Sequence, residues 1–241
     1  MAAGPMQPRT PIFIVTSSRP RVGKTLIARA LVEYFLAQKR PVDAFDVNSD
    51  EFTLLEYLPS YTAAASLRDT RGEMALFDRL IVPDDAAKVI DLAHHQLERF
   101  FTVLQQVNFM VEARRRGVVP IVLFIADTDE RARAGYVMLC QRFPDCVLVP
   151  VLNEVLPQIE RYRNLFAPSR RGSTALNVPA LSPVVRSIVD RRGFSFIDYA
   201  AKVTDTTAEL YLWMRCVFLS FRAIELRAML DDTPPALRRS A

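Results

Sequence analysis

The residues most open to chemical reading are Gly23-Lys24-Thr25, which close the stretch Ile12-Phe13-Ile14-Val15-Thr16-Ser17-Ser18-Arg19-Pro20-Arg21-Val22. In a loop of the form Gly-x-x-x-x-Gly-Lys-[Ser/Thr], backbone N–H groups cradle phosphate oxygens. The lysine reaches the outer phosphates and the hydroxyl serves Mg²⁺. The second half of that pattern is present here. In the first half, Ser18 stands in place of the usual glycine, and Pro20 has no N–H to donate. The candidate phosphate contacts are Ser18, Arg21, Val22, Gly23, Lys24, Thr25 and Leu26. A Gly-Lys-Thr tripeptide also occurs in ordinary turns between a strand and a helix, so its surroundings have to argue for it. Those surroundings are a β-branched run before it and, after it, Leu26 to Leu36 with apolar residues at helical spacing. They predict strand, phosphate loop and helix start.

A bound Mg²⁺–triphosphate needs carboxylates at the ends of neighbouring strands. Asp46 ends the run Val42-Asp43-Ala44-Phe45-Asp46, and Asp91 ends Lys88-Val89-Ile90-Asp91. With Thr25 they form the candidate metal set; the competing reading makes each aspartate a helix N-cap. His94 and His95 follow Asp91 and read either as phosphate sensors or as surface residues at a helix start. Arg161, Arg163, Arg170 and Arg171, with Arg186, Arg191 and Arg192, could hold DNA nonspecifically through its phosphates. A solvated basic face fits them equally well, because no aromatic interleaving accompanies them.

The elements that must position these groups alternate along the chain. Strand-like runs at 12–16, 42–47, 88–93, 118–126 and 147–152 are separated by helical patterns to about residue 39, around 52–58 and 73–82, in one long helix to Arg116, and at 129–143. This alternation predicts an α/β fold with three layers, a mostly parallel central sheet covered by helices on both sides. Gly117 and Gly193, at handovers from helix to strand, read as left-handed helix terminators. The segment 154–176 has no clear period, and 205–230 forms one long helical pattern that reads as packed on the sheet. A single domain over 11–231, with loose tails at 1–10 and 232–241, is expected from 241 residues of which half are apolar.

No apolar run reaches the length of a membrane span, and the first ten residues lack the apolar core of a signal peptide, so a cytoplasmic protein is expected. Cys140, Cys146 and Cys216 have neither an even count nor metal-ligand spacing and read as reduced thiols. The net charge of +4 is carried mostly by arginine and is too small to argue for nucleic acid by itself.

With these motifs in hand, residues 12–48 resemble the MinD/ParA group of P-loop ATPases. In that group a deviant loop Lys-Gly-Gly-x-Gly-Lys-[Thr/Ser] is followed by a helix and a strand ending Asp-x-Asp. Aligned on Gly23-Lys24-Thr25, Arg19 takes the place of the signature lysine, Pro20 and Arg21 the places of the two glycines, and Asp46 that of the first aspartate. Asn48 replaces the second aspartate, and Asp91 matches the Walker B position. Leu148 to Asn153 resembles the later strand whose terminal asparagine meets adenine, and Val178-Pro179-Ala180-Leu181 resembles the loop near the base.

The resemblance implies ATP or ADP with Mg²⁺ as cofactors, and catalytic roles for Lys24, Arg19 and Asp46. It implies base contacts by Asn153 and Pro179, and a nucleotide-dependent homodimer across which Arg19 reaches the partner's phosphates. It also implies a slow ATPase switch that positions DNA or cell machinery, with DNA or a protein adaptor as further partner. Two alternatives stand beside it. The loop also looks like that of dethiobiotin synthetase, an ATP-dependent ligase. A degenerate scaffold that no longer turns nucleotide over would account for Pro20, Arg21 and Asn48.

Overall fold

Five long apolar runs become the interior of a seven-stranded, all-parallel sheet, because each is rich in β-branched and aromatic residues and is separated from the next by at least one helix. The computed structural model describes residues 9–48, 53–157, 165–166 and 175–231. Among them the strands are β1 Thr10–Thr16, β2 Val42–Val47, β3 Thr62–Ala64, β4 Ala87–Leu92, β5 Val118–Ile125, β6 Val147–Asn153 and β7 Leu176–Val178. Their order is β3-β2-β4-β1-β5-β6-β7. β1 is therefore central: the chain first winds to one side of it and then crosses to the other. Ligands of open α/β sheets bind at such a reversal, beyond the carboxyl ends of the strands.

The helices are α1 Lys24–Ala37, α2 Thr53–Tyr57, α3 Thr70–Leu80, α4 Leu97–Gln106, α5 Phe109–Arg115, α6 Glu130–Arg142, α7 Pro183–Val189, α8 Phe196–Lys202 and α9 Glu209–Asp231. Alternate residues of β1 feed two cores, as the two-residue period of a strand requires. Phe13 and Val15 meet Leu31 and Phe35 of α1 and Trp213 and Phe221 of α9 in one core. Ile12 and Ile14 share the other with Leu76 of α3, Phe100 of α4 and Tyr136 of α6. The expected three-layer α/β architecture is the one found.

Some expectations give way. β3 and β7 have three residues each, too few to show a period. The long helix to Arg116 is interrupted between α4 and α5, where Asn108 takes a left-handed φ of 51° that asparagine tolerates better than most residues. Gly117 is left-handed at 76°, whereas Gly193 is not, and a methyl group added at Gly193 would meet nothing within 4 Å. Residues 1–8 and 232–241 of the expected tails, and 158–164 and 167–174 with Arg161, Arg163, Arg170 and Arg171, lie outside the described residues. Thr10 opens β1, and the Arg9 guanidinium donates to the Met229 carbonyl at 2.7 Å.

Helix α1 also carries a buried ion pair two turns in. Arg29 and Glu33, 2% and 1% exposed, face each other at 3.4 Å. Arg29 donates to the carbonyls of Val189 (2.7 Å) and Phe194, and Glu33 accepts from the Ser195 hydroxyl at 2.8 Å and the Ile197 amide at 3.1 Å. The pair thereby fastens the turn between α7 and α8 to α1.

Candidate functional site

The loop from Ser17 to Gly23 leaves the carboxyl end of β1 and delivers Lys24 as the first residue of α1. Gly23 sits at the N-cap with φ 98°, a conformation natural to glycine. A Cβ there would come within 2.7 Å of Asn153 Nδ2. Arg21 is left-handed as well, at φ 58°, so the loop keeps an unusual backbone turn where the resembled family has glycine. Such a turn in a bulky residue persists only when its surroundings enforce it.

Helix α1, like α4 and α5, starts without a side-chain cap. Asp69, Asp129, Ser182 and Ser195 cap α3, α6, α7 and α8 by accepting a first-turn amide, but Gly23 has no side chain to offer α1. No acidic residue occupies the first turn of α1. The amides at this end are left to point outward with the positive end of the helix dipole, which is the setting for an anion.

Around that helix start the strand ends bring two carboxylates together beside Thr25. Asp46 and Asp91 are register partners on β2 and β4, and Asp91 is also paired with Val15 of β1. Thr25 Oγ1 donates to Asp91 Oδ2 at 2.6 Å and lies 3.1 Å from Thr53 Oγ1 of α2. Asp46 Oδ2 accepts the Leu54 and Leu55 amides at 2.8 and 3.1 Å, while its buried Oδ1 has no hydrogen-bond partner. The N-cap reading of Asp46 is thus half right: one oxygen anchors α2 and the other is left over. Lys24 Nζ donates to the Arg19 carbonyl at 2.8 Å, folding back over its own loop.

Burial shifts all three ionisable groups. It pushes Asp46 up to about 7, with the Asp91 charge adding to it and the Leu55, Leu54 and Asn48 amides opposing. It pushes Asp91 up to about 6 against the Thr25 hydroxyl and the Lys24 ammonium. Burial lowers the Lys24 pKa, and the Asp91 charge works against that lowering. Two adjacent carboxyls that resist ionisation are what a divalent cation would relieve. Among the described residues no three His, Cys, Asp or Glu side chains cluster as a metal cage. A hydroxyl and one or two carboxylates nevertheless suit Mg²⁺, which keeps several waters and takes its other ligands from phosphate.

These groups open on a cavity of about 820 Å³ lined by Arg19, Arg21, Gly23, Lys24, Thr25, Leu26 and Asp91 from the expected set. Pro20, Asn48, Thr53, His94, His95 and Arg186 line it too. Its size is in the range of nucleotide-sized ligand sites. Five expected residues lie elsewhere. Ser18 packs beside Gly135 of α6, where a Cβ would come within 2.2 Å of its hydroxyl. Val22 is buried, and its carbonyl accepts the Asn153 amide at 2.9 Å. Asn153 is therefore under the loop, 3% exposed, and holds it to the end of β6 rather than facing the cavity. The Pro179 carbonyl accepts the Trp213 indole N–H at 2.9 Å. Asp46 is fully buried beneath the amides that open α2.

The sequence reading missed Asp127 and Asp129. Both follow β5, and both hold the Arg19 guanidinium, at 3.3 and 3.2 Å. Their signal was the same one that marked Asp46 and Asp91, a carboxylate at the end of a strongly apolar run. Thr53 had no signal, since a threonine at the start of a five-residue helix resembles any other. No protein-family model matches the chain, and no curated protein matches it in sequence.

Proposed function

We propose that this chain is an ATP-binding protein of the P-loop type, with Mg²⁺ held beside Thr25, and that ATP joins two copies into a cytoplasmic switch with slow hydrolysis. The observation that carries the proposal is the convergence at one helix start of uncapped amides, a left-handed Gly23, the Lys24 ammonium, and a Thr25–Asp91 contact of 2.6 Å beside an Asp46 oxygen with no partner. The residues fit the cofactor they would need: Thr25 and Asp91 would hold the cation directly or through water, with Asp46 behind them. The cation would neutralise charge on the outer phosphates.

The chain's own residues supply the rest. Lys24, which donates to a backbone carbonyl of its own loop, can swing its charge to a phosphate oxygen. The amides of Gly23 to Leu26 fix the phosphates in place. Arg19 is the candidate to reach across a dimer, since a guanidinium grips phosphate in two-pronged fashion. In this state its own Asp127 and Asp129 hold it, so assembly must exchange those two ion pairs for phosphate contacts. Asn48 on the cavity wall supports one further reading, binding without turnover, because an amide cannot act as the carboxylate that orients an attacking water.

Calorimetric titration of ATP and ADP in the presence of Mg²⁺, with sedimentation of each mixture, tests the proposal. Wild type is expected to bind ATP and gain mass, and Lys24→Ala to lose about 100-fold in affinity and to stay monomeric. Absence of nucleotide binding by the folded wild-type chain would end the proposal. Binding and dimerisation with no phosphate release over hours would leave the non-hydrolysing form.

A further inference from the structure

Helix α9 spends one face on the sheet and shows the other to solvent. Leu210, Trp213, Met214, Val217, Phe221, Ile224 and Ala228 are buried in the core around β5 and β7. On the opposite face Leu212, Cys216, Leu219, Ala223, Leu226 and Leu230 are all exposed. The four leucines are 48%, 55%, 53% and 68% exposed, which is uncommon for so many on one helix. The steps between the six residues alternate four, three, four, three, four. That is a heptad seam, the a and d positions of a coiled coil, running over most of a 23-residue helix.

The width of the seam and the charges beside it define what would cover it. A helix packed on a core presents an apolar face more than about 100° wide, whereas a strict two-position stripe is the narrower seam of a partner helix. The polar residues flanking the stripe in the e and g positions are Arg215, Ser220, Arg222 and Arg227, with no acidic residue among them. A second copy would set arginine against arginine in either orientation, and like charges at these positions select against pairing.

We infer that the outer face of α9 is a docking surface for an amphipathic helix of another protein, with leucine-type residues on its seam and glutamate or aspartate beside it. The surface lies on a different element from the nucleotide cavity, so the inference stands independently of the proposed function.

The probe is a labelled synthetic peptide about three heptads long, with leucine at a and d and glutamate at e and g, titrated into the full chain by fluorescence anisotropy. A matched peptide with lysine at e and g is the first control. The glutamate peptide is expected to bind about tenfold or more tightly than the lysine peptide and to weaken as salt rises. Leu219→Glu/Leu226→Glu, two exposed sites whose change leaves the melting temperature near that of wild type, is expected to lose that binding about tenfold. Arg215→Glu/Arg222→Glu is expected to reverse the preference between the peptides. Equal binding of the two peptides, or binding untouched by the leucine changes, overturns the inference. So does association of the chain with itself, or with phosphatidylglycerol vesicles, that the leucine changes abolish while the glutamate peptide fails to bind.

Discussion

Helix α1 carries two sets of buried charged groups, and they differ in how fully they are partnered. At its first turn Lys24, with Asp46 and Asp91 from the neighbouring strands, leaves capacity unused: Asp46 Oδ1 accepts nothing, the first-turn amides have no side-chain cap, and the lysine rests on a loop carbonyl. Two turns later Arg29 and Glu33 are buried with Arg29 Nε and Glu33 Oε1 likewise without hydrogen bonds, but these two atoms face each other at 3.4 Å. The guanidinium also reaches two carbonyls, and the carboxylate takes a hydroxyl and an amide. Tyr57 also lies against the Arg29 guanidinium, 4.5 Å from ring centre to carbon. Burial shifts ionisation in both places, upward for Glu33 as for Asp46 and downward for Arg29 as for Lys24. A shifted pKa therefore does not separate a candidate site from a structural clamp. Neither does a buried atom without a hydrogen bond, since Arg29 Nε and Glu33 Oε1 lack one as Asp46 Oδ1 does. What differs is that the clamp's two ions face each other at 3.4 Å, whereas no ion pair among the described residues meets Asp46.

The contrast can be broken most forcefully at the clamp. Arg29→Ala leaves Glu33 buried without its cation, and unfolding by urea should show a loss of about 3–5 kcal/mol. Equal stability of that variant would remove the distinction. Lys24→Ala, expected under the proposal to lose nucleotide affinity, should in contrast leave the urea midpoint of the free protein close to wild type. A drop comparable to that of Arg29→Ala would make Lys24 part of the scaffold.

Asp46→Asn sharpens the comparison through pH. An acid whose folded pKa stands above its unfolded one costs stability as it ionises. That cost is absent below the unfolded value near 4 and complete above about 7. Asparagine still accepts the Leu54 and Leu55 amides, so the variant should be more stable than wild type by about 1–3 kcal/mol at pH 8. The advantage should fade as pH falls through the interval from 7 to 4 in thermal melts. Asn153→Ala is the smallest step: freeing the Val22 carbonyl should cost about 1 kcal/mol and a few-fold in nucleotide affinity, measured by the same melts and titration.

Where the chain's own pattern speaks locally, the fold was legible. Phe13 and Val15 against Ile12 and Ile14 announce a strand buried on both faces, and Gly23-Lys24-Thr25 announces the turn that follows it. Longer-range facts were not. Asn153 was expected beside a base; its hydrogen bond to Val22 was not foreseen, because only the sheet order brings the end of β6 under the loop. Arg19 was expected to reach a partner's phosphates, and no local rule places Asp127 and Asp129 next to it. The break at Asn108 depends on a single residue that tolerates a left-handed turn, and that tolerance is permission rather than a signal.

The short outer strands have a consequence for how the molecule meets others. With three residues each in β3 and β7, the described borders of the sheet offer little unpaired main chain for a foreign segment to zip onto. Growth by added strands, the usual route to runaway assembly in sheet proteins, has little template here. Recognition is left to side chains, where it can be switched on and off.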